Sequence, residues 1–160
     1  MDIQTTRHQV ALPSGGASFI AAQSDMLDKI ALLEDVIRKS PECIVPVQHH
    51  VNGGMYARTG MIPAGVTFTG AVHTKDHINI VIGDITLLSD DGPIRYTGHH
   101  VLPCKAGCKR VATTHADTYW TTVVTTSLTD ISAIEDEICE DSTILQTRKA
   151  GLTFDKQKGA

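Results

Sequence analysis

Between Ile44 and Thr126 the chain is cut into short β-branched runs by turn residues, and this punctuation most limits what it can fold into. Val66 to His73 and Ile78 to Ser89 are the longest runs, the second interrupted at Gly83-Asp84. Met55 to Ile62 reads as a strand, as does Tyr119 to Thr126, which is rich in aromatic and β-branched residues. Ile44-Val45 with Val47, Ile94 to Tyr96 and His99 to Leu102 are shorter pieces. Asn52-Gly53-Gly54, Pro63-Ala64-Gly65 and Asp90-Asp91-Gly92-Pro93 supply the turns. Several short strands at this spacing predict a mainly β fold, a sandwich or a barrel.

Helical patterns flank the strands. Ser24 can cap a helix whose first turn holds Asp25 and Asp28 and whose last turn holds Arg38 and Lys39, matching the helix dipole. Leu27, Ile30, Leu33 or Glu34, and Ile37 trace its apolar stripe, and Ser40-Pro41 stops it. Asp130 can cap a second helix with Ile131, Ile134 and Ile138 on one side and Glu135, Asp136, Glu137 and Glu140 toward water. The expected organisation is an arm over 1–22, a helix over 23–40, a barrel with its C-terminal helix over 41–144, and a flexible tail over 145–160.

The 160 residues suffice for one core, and a net charge of −4 argues against a dedicated nucleic-acid binder, which carries a basic face. No apolar run reaches the roughly 18 residues of a membrane span, and Ala17 to Ala22 makes no signal peptide, so a cytoplasmic protein is expected. Cys43, Cys104, Cys108 and Cys139 fit reduced thiols there. Cys104 and Cys108 are separated by three residues, a weaker zinc signature than a two-residue gap. Lys105, Lys109 and Arg110 cluster in one loop, either a solvated surface or a small-anion site.

His73 and His77 stand four residues apart between two strand-like runs. That spacing serves helical zinc sites, but the flanking β-branched residues argue against a helix. On one continuous strand the two would be roughly 13 Å apart, too far for a shared ion. If both bind one metal, Thr74-Lys75-Asp76 must bend the chain, and a third imidazole, His115, can join them in a small barrel.

Ile62-Pro63-Ala64-Gly65 followed by His73, His77 and Gly83 resembles the first motif of the cupins, and Pro103, Gly107 and His115 resemble the second. On that alignment Ala71 stands where the first histidine ligand would be, and His77 where the glutamate would be. His49-His50, Gly54-Met-Tyr56-Ala57-Arg58, Gly70-Ala-Val-His73-Thr-Lys-Asp-His77 and Asp117-Thr118-Tyr119-Trp120-Thr121-Thr122 are similar to motifs of cupin-like proteins from bacteriophages and prophages.

The resemblance implies a small cupin-type β-barrel (jelly roll) with an N-terminal helix and a short C-terminal helix. In the host cytoplasm, two kinds of function stay open. One is a metal-dependent small-molecule enzyme in which His73, His77 and His115 hold Fe, Mn, Ni or Zn and Tyr56, His50 or Asp117 moves protons. The other is a non-catalytic barrel, a virion component or a protein that sequesters a small anionic metabolite, with His50, Arg58, Lys105 and Lys109 at the pocket. Both expect a homo-oligomer, because an exposed sheet edge and an apolar helix stripe invite a second copy.

Overall fold

The computed structural model describes residues 29–89 and 92–148. The N-terminal arm with His8, the start of the first helix (Ser24, Asp25, Leu27 and Asp28), the Asp90-Asp91 turn and the last residues from 149 lie outside the described residues.

Helix α1 runs over 29–39. Its stripe turns inward as expected: Ile30 is buried and Leu33, Glu34 and Ile37 are half-buried, while Leu32 and Val36 stay exposed. This face packs on the chain's own barrel, where Glu34 accepts a hydrogen bond from Thr69 Oγ1 at 2.9 Å. Strands follow as β1 (Val47–Asn52), β2 (Met55–Ile62), β3 (Thr67–Thr69), β4 (His77–Ser89), β5 (Gly92–Cys104), β6 (Val111–Thr114) and β7 (Thr118–Thr125). Helix α2 (Ile131–Ile138) closes the fold.

Among the described residues these strands make one sheet in the order β1-β2-β7-β4-β6-β3, with β5 also paired to β4. β5 runs beside the whole of β4. The opposite edge of β4 pairs first with β7, over Ile78 to Ile82, and then with β6, over Ile85 to Leu87. The chain therefore changes neighbours at Gly83-Asp84, and the sheet curls there into a half-barrel. Gly83 lies opposite Gly98 in the register, both with positive φ, so the two long strands bend at the same level. The mainly β class with a helix on either side matches the sequence reading. The details differ in several places: Gly83-Asp84 and the Thr97-Gly98 region bend long strands without breaking them, the expected Val66-to-His73 strand shrinks to Thr67–Thr69, Ile44-Val45 lies outside β1, and β6 has no counterpart in the sequence reading.

Two hydrophobic groups fill the curl. Val81, Ile85, Leu87 and Ala112 form one, with Phe68 and Trp120 against it. Tyr56, Val124, Ile134, Ile138 and Cys139 form the other, so α2 seals one end. Asp130 caps α2 as its position predicts, accepting the Ala133 N–H at 3.0 Å. Glu135 does not face water: it is 1% exposed, and Arg148 Nε donates to its carboxylate at 2.9 Å. That pair ties residues 146–148, a 3₁₀ turn in the stretch assigned to the tail, onto the helix.

Candidate functional site

Alternation along β2 and β7 aims every second side chain into the curl. Tyr56, Arg58, Gly60 and Ile62 from β2, and Trp120 and Thr122 from β7, line a cavity of about 930 Å³ together with His73, His77, Cys104 and Arg110. Helix α1 covers part of it with Leu33, Val36 and Ile37. The lining is largely apolar with a few polar groups, the usual make-up of a small-molecule site.

His73 and His77 meet here, with ring centroids 4.2 Å apart. The bend expected at Thr74-Lys75-Asp76 brings them together, and its anchors are specific. Thr74 N–H donates to Ile138 O at 2.9 Å, Gly107 N–H donates to His73 O at 2.8 Å, and Asp76 accepts from the Ala106 N–H at 3.0 Å. Burial, and then the positive charges of His77 and Arg58, push the His73 imidazole down to about 4. Its Nδ1 is buried without a hydrogen-bond partner, as are Arg58 Nε and Arg110 Nε.

His77 and Cys104 are direct cross-strand partners, so both side chains point the same way. The sulfur of Cys104 accepts from Asn79 Nδ2 at 3.2 Å and from Arg110 Nη2 at 3.3 Å. The His77 imidazole lies close enough to act on the same sulfur. Burial pushes the Cys104 thiol up, but these donors and the Arg110 charge overcome that and bring it down to about 7. For His77, burial pulls the imidazole down, while the sulfur and the Lys75 carbonyl more than offset it and raise it. The two shifts point the same way, each group favouring the charged form of the other. Asn79 is held in place because its Oδ1 accepts from Trp120 Nε1 at 3.0 Å and from Thr122 Oγ1 at 2.8 Å.

Other residues singled out in the sequence lie elsewhere. His115 is not with the histidine pair: its backbone N–H is on Asp84 O and its Nε2 is 2.7 Å from Thr86 Oγ1. Asp84 sits roughly 23 Å along β4 from His77, at about 3.3 Å per residue. Among the described residues no three His, Cys, Asp or Glu side chains gather into a group able to hold a metal ion. The structure brings His73 and His77 together but leaves His115 at the far end of β4, so the three-imidazole set expected from the sequence is not assembled.

Tyr56 is fully buried, 2.7 Å from His49 Nδ1 through its hydroxyl, and burial drives its phenol upward, out of range for proton transfer near neutrality. Asp117 accepts the Ala64 N–H at 3.0 Å and closes a turn. His50 is exposed on β1. Lys105 is exposed and pairs with Asp76 at 2.6 Å, and Lys109 pairs with Glu34 of α1 at 2.6 Å. Of the basic loop cluster, Arg110 lines the cavity; Arg58 does so too, as expected from the sequence.

The His73 environment has a measurable consequence. A histidine held below its unfolded value binds fewer protons when folded, so stability is present above about 6.5 and falls as acid protonates the unfolded chain. His77, shifted the other way, contributes fully below that value and leaves this window unchanged. The melting temperature should fall from pH 6.5 to pH 5, and His73→Gln should flatten that fall; an unchanged slope in the variant refutes the assignment.

No protein-family model matches the chain, and no curated protein matches it. Solved structures do. One is a cupin superfamily protein from Desulfitobacterium hafniense, 12% identical with TM-score 0.45, the match covering 55% of this chain and 83% of that one. A putative ethanolamine utilization protein Q from Salmonella typhimurium is 16% identical with TM-score 0.45, over 56% and 74% of the two chains. An RmlC-like cupin with a double-stranded β-helix fold from Methanocaldococcus jannaschii is 18% identical with TM-score 0.41, over 52% and 81%. The structural neighbours of this chain thus include cupin superfamily proteins.

Proposed function

We propose that the cavity binds a small anionic molecule, its carboxylate or phosphate received by Arg58, Arg110 and His73. One observation carries this reading: Arg58 Nε, Arg110 Nε and His73 Nδ1 are buried, have no hydrogen-bond partner, and belong to side chains that line one cavity. A buried polar group left unsatisfied costs about 1–3 kcal/mol, more when charged, and an anion placed beside the two guanidinium groups, with His73 in its Nδ1–H tautomer, removes that cost. Among the described residues neither arginine is ion-paired to a carboxylate, whereas Lys105 and Lys109 both are. The apolar walls from Phe68, Trp120 and Ile62 suit a ligand with a carbon body.

Thermal melts with inorganic phosphate and with succinate, against sodium chloride at equal ionic strength, test the reading and separate the two anion classes. A ligand at a hundred times its Kd adds about 2.7 kcal/mol, a rise of roughly 5–10 °C. Arg58→Met and Arg110→Met should each remove most of that rise. If no carboxylate or phosphate shifts the wild-type transition beyond the chloride control, the proposal fails. The same melts with Fe, Mn, Ni or Zn test the metal-centre alternative: a metal-dependent rise that His73→Ala abolishes would favour it.

A further inference from the structure

Outside the anion-binding groups, the most unusual chemistry in the fold is the sulfur at the end of β5. Cys104 is 5% exposed, lines the cavity, accepts hydrogen bonds from an amide and a guanidinium, and lies directly across the strand pair from the His77 imidazole. As a neutral thiol it reaches the Leu102 carbonyl at 3.7 Å, a long contact. A neutral thiol is a weak acceptor, and two N–H donors with an imidazole alongside are what a reactive thiolate requires. The other cavity-lining cysteine buried in the core, Cys139, has the opposite surroundings: it packs with Tyr56, Val124, Ile134 and Ile138, and burial pushes its thiol up to about 11. Cys104 also touches Arg110, whose Nε is one of the three partnerless donors. An anion held by that guanidinium is brought beside the sulfur.

We propose that Cys104 is a nucleophilic thiolate that attacks a compact electrophile carried into the cavity by its carboxylate or phosphate group. His77 is the base of the pair. Its Nδ1–H is committed to the Lys75 carbonyl, which leaves the other ring nitrogen to hold the proton that Cys104 gives up. The sulfur lone pair forms the new S–C bond, the bond to the leaving group breaks, and that group departs with the electron pair; no oxidant or reductant is needed. Asn79 and Arg110 are positioning residues for the thiolate. The inference rests on the anion-binding reading for its selectivity and on Cys104 alone for its reactivity.

Iodoacetate and iodoacetamide test it on the intact folded chain, because they differ in charge and share one reaction, displacement of iodide by a thiolate. Peptide mapping by mass spectrometry reports each cysteine separately, with Cys139 as the internal reference. A thiolate in water reacts no faster with the anionic reagent than with the neutral one. Cys104 is expected to take iodoacetate at least tenfold faster than iodoacetamide and to outpace Cys139 with both. Inorganic phosphate should slow the iodoacetate reaction in the wild type. Arg58→Met should erase the preference for iodoacetate, and His77→Gln should slow both reagents. Cys104 reacting with iodoacetamide no faster than Cys139 overturns the proposal. So does a fast reaction with no preference for iodoacetate and no protection by phosphate. If Cys104→Ser still melts higher in phosphate while wild-type Cys104 is inert, the anion site stands and the thiolate proposal alone falls.

Discussion

Arg148→Ala should lower the melting temperature by roughly 10–15 °C, the largest effect expected from any single side chain outside the cavity. The reason lies at Glu135, which α2 carries into the core between Ile134 and Ile138 rather than toward water. Its carboxylate receives Arg148 Nε at 2.9 Å and Thr147 Oγ1 at 2.7 Å. Arg148 also donates to the Ser132 carbonyl and reaches Asp136 at 2.8 Å, so one guanidinium holds three points of the helix. Removing it leaves the buried carboxylate without its cation and with only the Thr147 hydroxyl as a side-chain donor, at a cost of about 3–5 kcal/mol. An apolar replacement of the whole pair lacks that cost. Glu135→Leu with Arg148→Met should recover most of the loss, which separates a charge effect from lost packing. A drop below about 2 °C for Arg148→Ala would show that the carboxylate finds another partner.

Gly83→Ala should be nearly as damaging, by a different route. A methyl group at that position falls 2.3 Å from Thr118 Oγ1 and 2.7 Å from Thr118 Cα, and the second of these is backbone. The φ of +152° adds strain for any residue with a Cβ. The clash sits where β4 changes neighbours and β7 begins, so relief of the contact means opening the curl. We expect a loss of about 3 kcal/mol or more. Gly98 supplies the control. It lies opposite Gly83, has φ +89°, and an added Cβ there meets nothing within 4 Å. Gly98→Ala should carry only backbone strain, about 1 kcal/mol. Equal urea midpoints for the two variants would refute the steric account.

The strands were legible because turn residues mark their ends: Asn52-Gly53-Gly54 makes a hairpin whose two glycines both take positive φ, as a tight β-hairpin needs. The bend between His73 and His77 was legible from distance alone, since an extended chain keeps the imidazoles apart. Glu135 was misread because periodicity places a residue on a helix face and says nothing of a partner arriving from Arg148, later in the chain. His115 was misplaced for a related reason. Spacing in sequence does not say which end of a long strand a later loop reaches, and Thr86 holds His115 at the far end. The role of Cys104 depends on the register of the β4–β5 hairpin. A slip of one residue would turn its sulfur to the outer face, away from His77 and Asn79. Arg110 was visible only as one of three basic loop residues, and the two lysines were the less informative pair.

The clamp around the histidine segment bears on selectivity. Thr74 is fastened to the end of α2, Lys75 to Glu137, Asp76 to Lys105 and Ala106, and the backbone of Gly107 to His73. These contacts belong to the chain itself, so a guest finds His73 and His77 already in place. Association then loses little entropy in ordering the walls, and more of the gross contact energy remains as affinity. The same stiffness penalises a guest of the wrong shape, because a wall locked to a helix end cannot shift to meet it. On the proposed reading, discrimination among anions of similar charge follows from fit rather than from closure around the ligand.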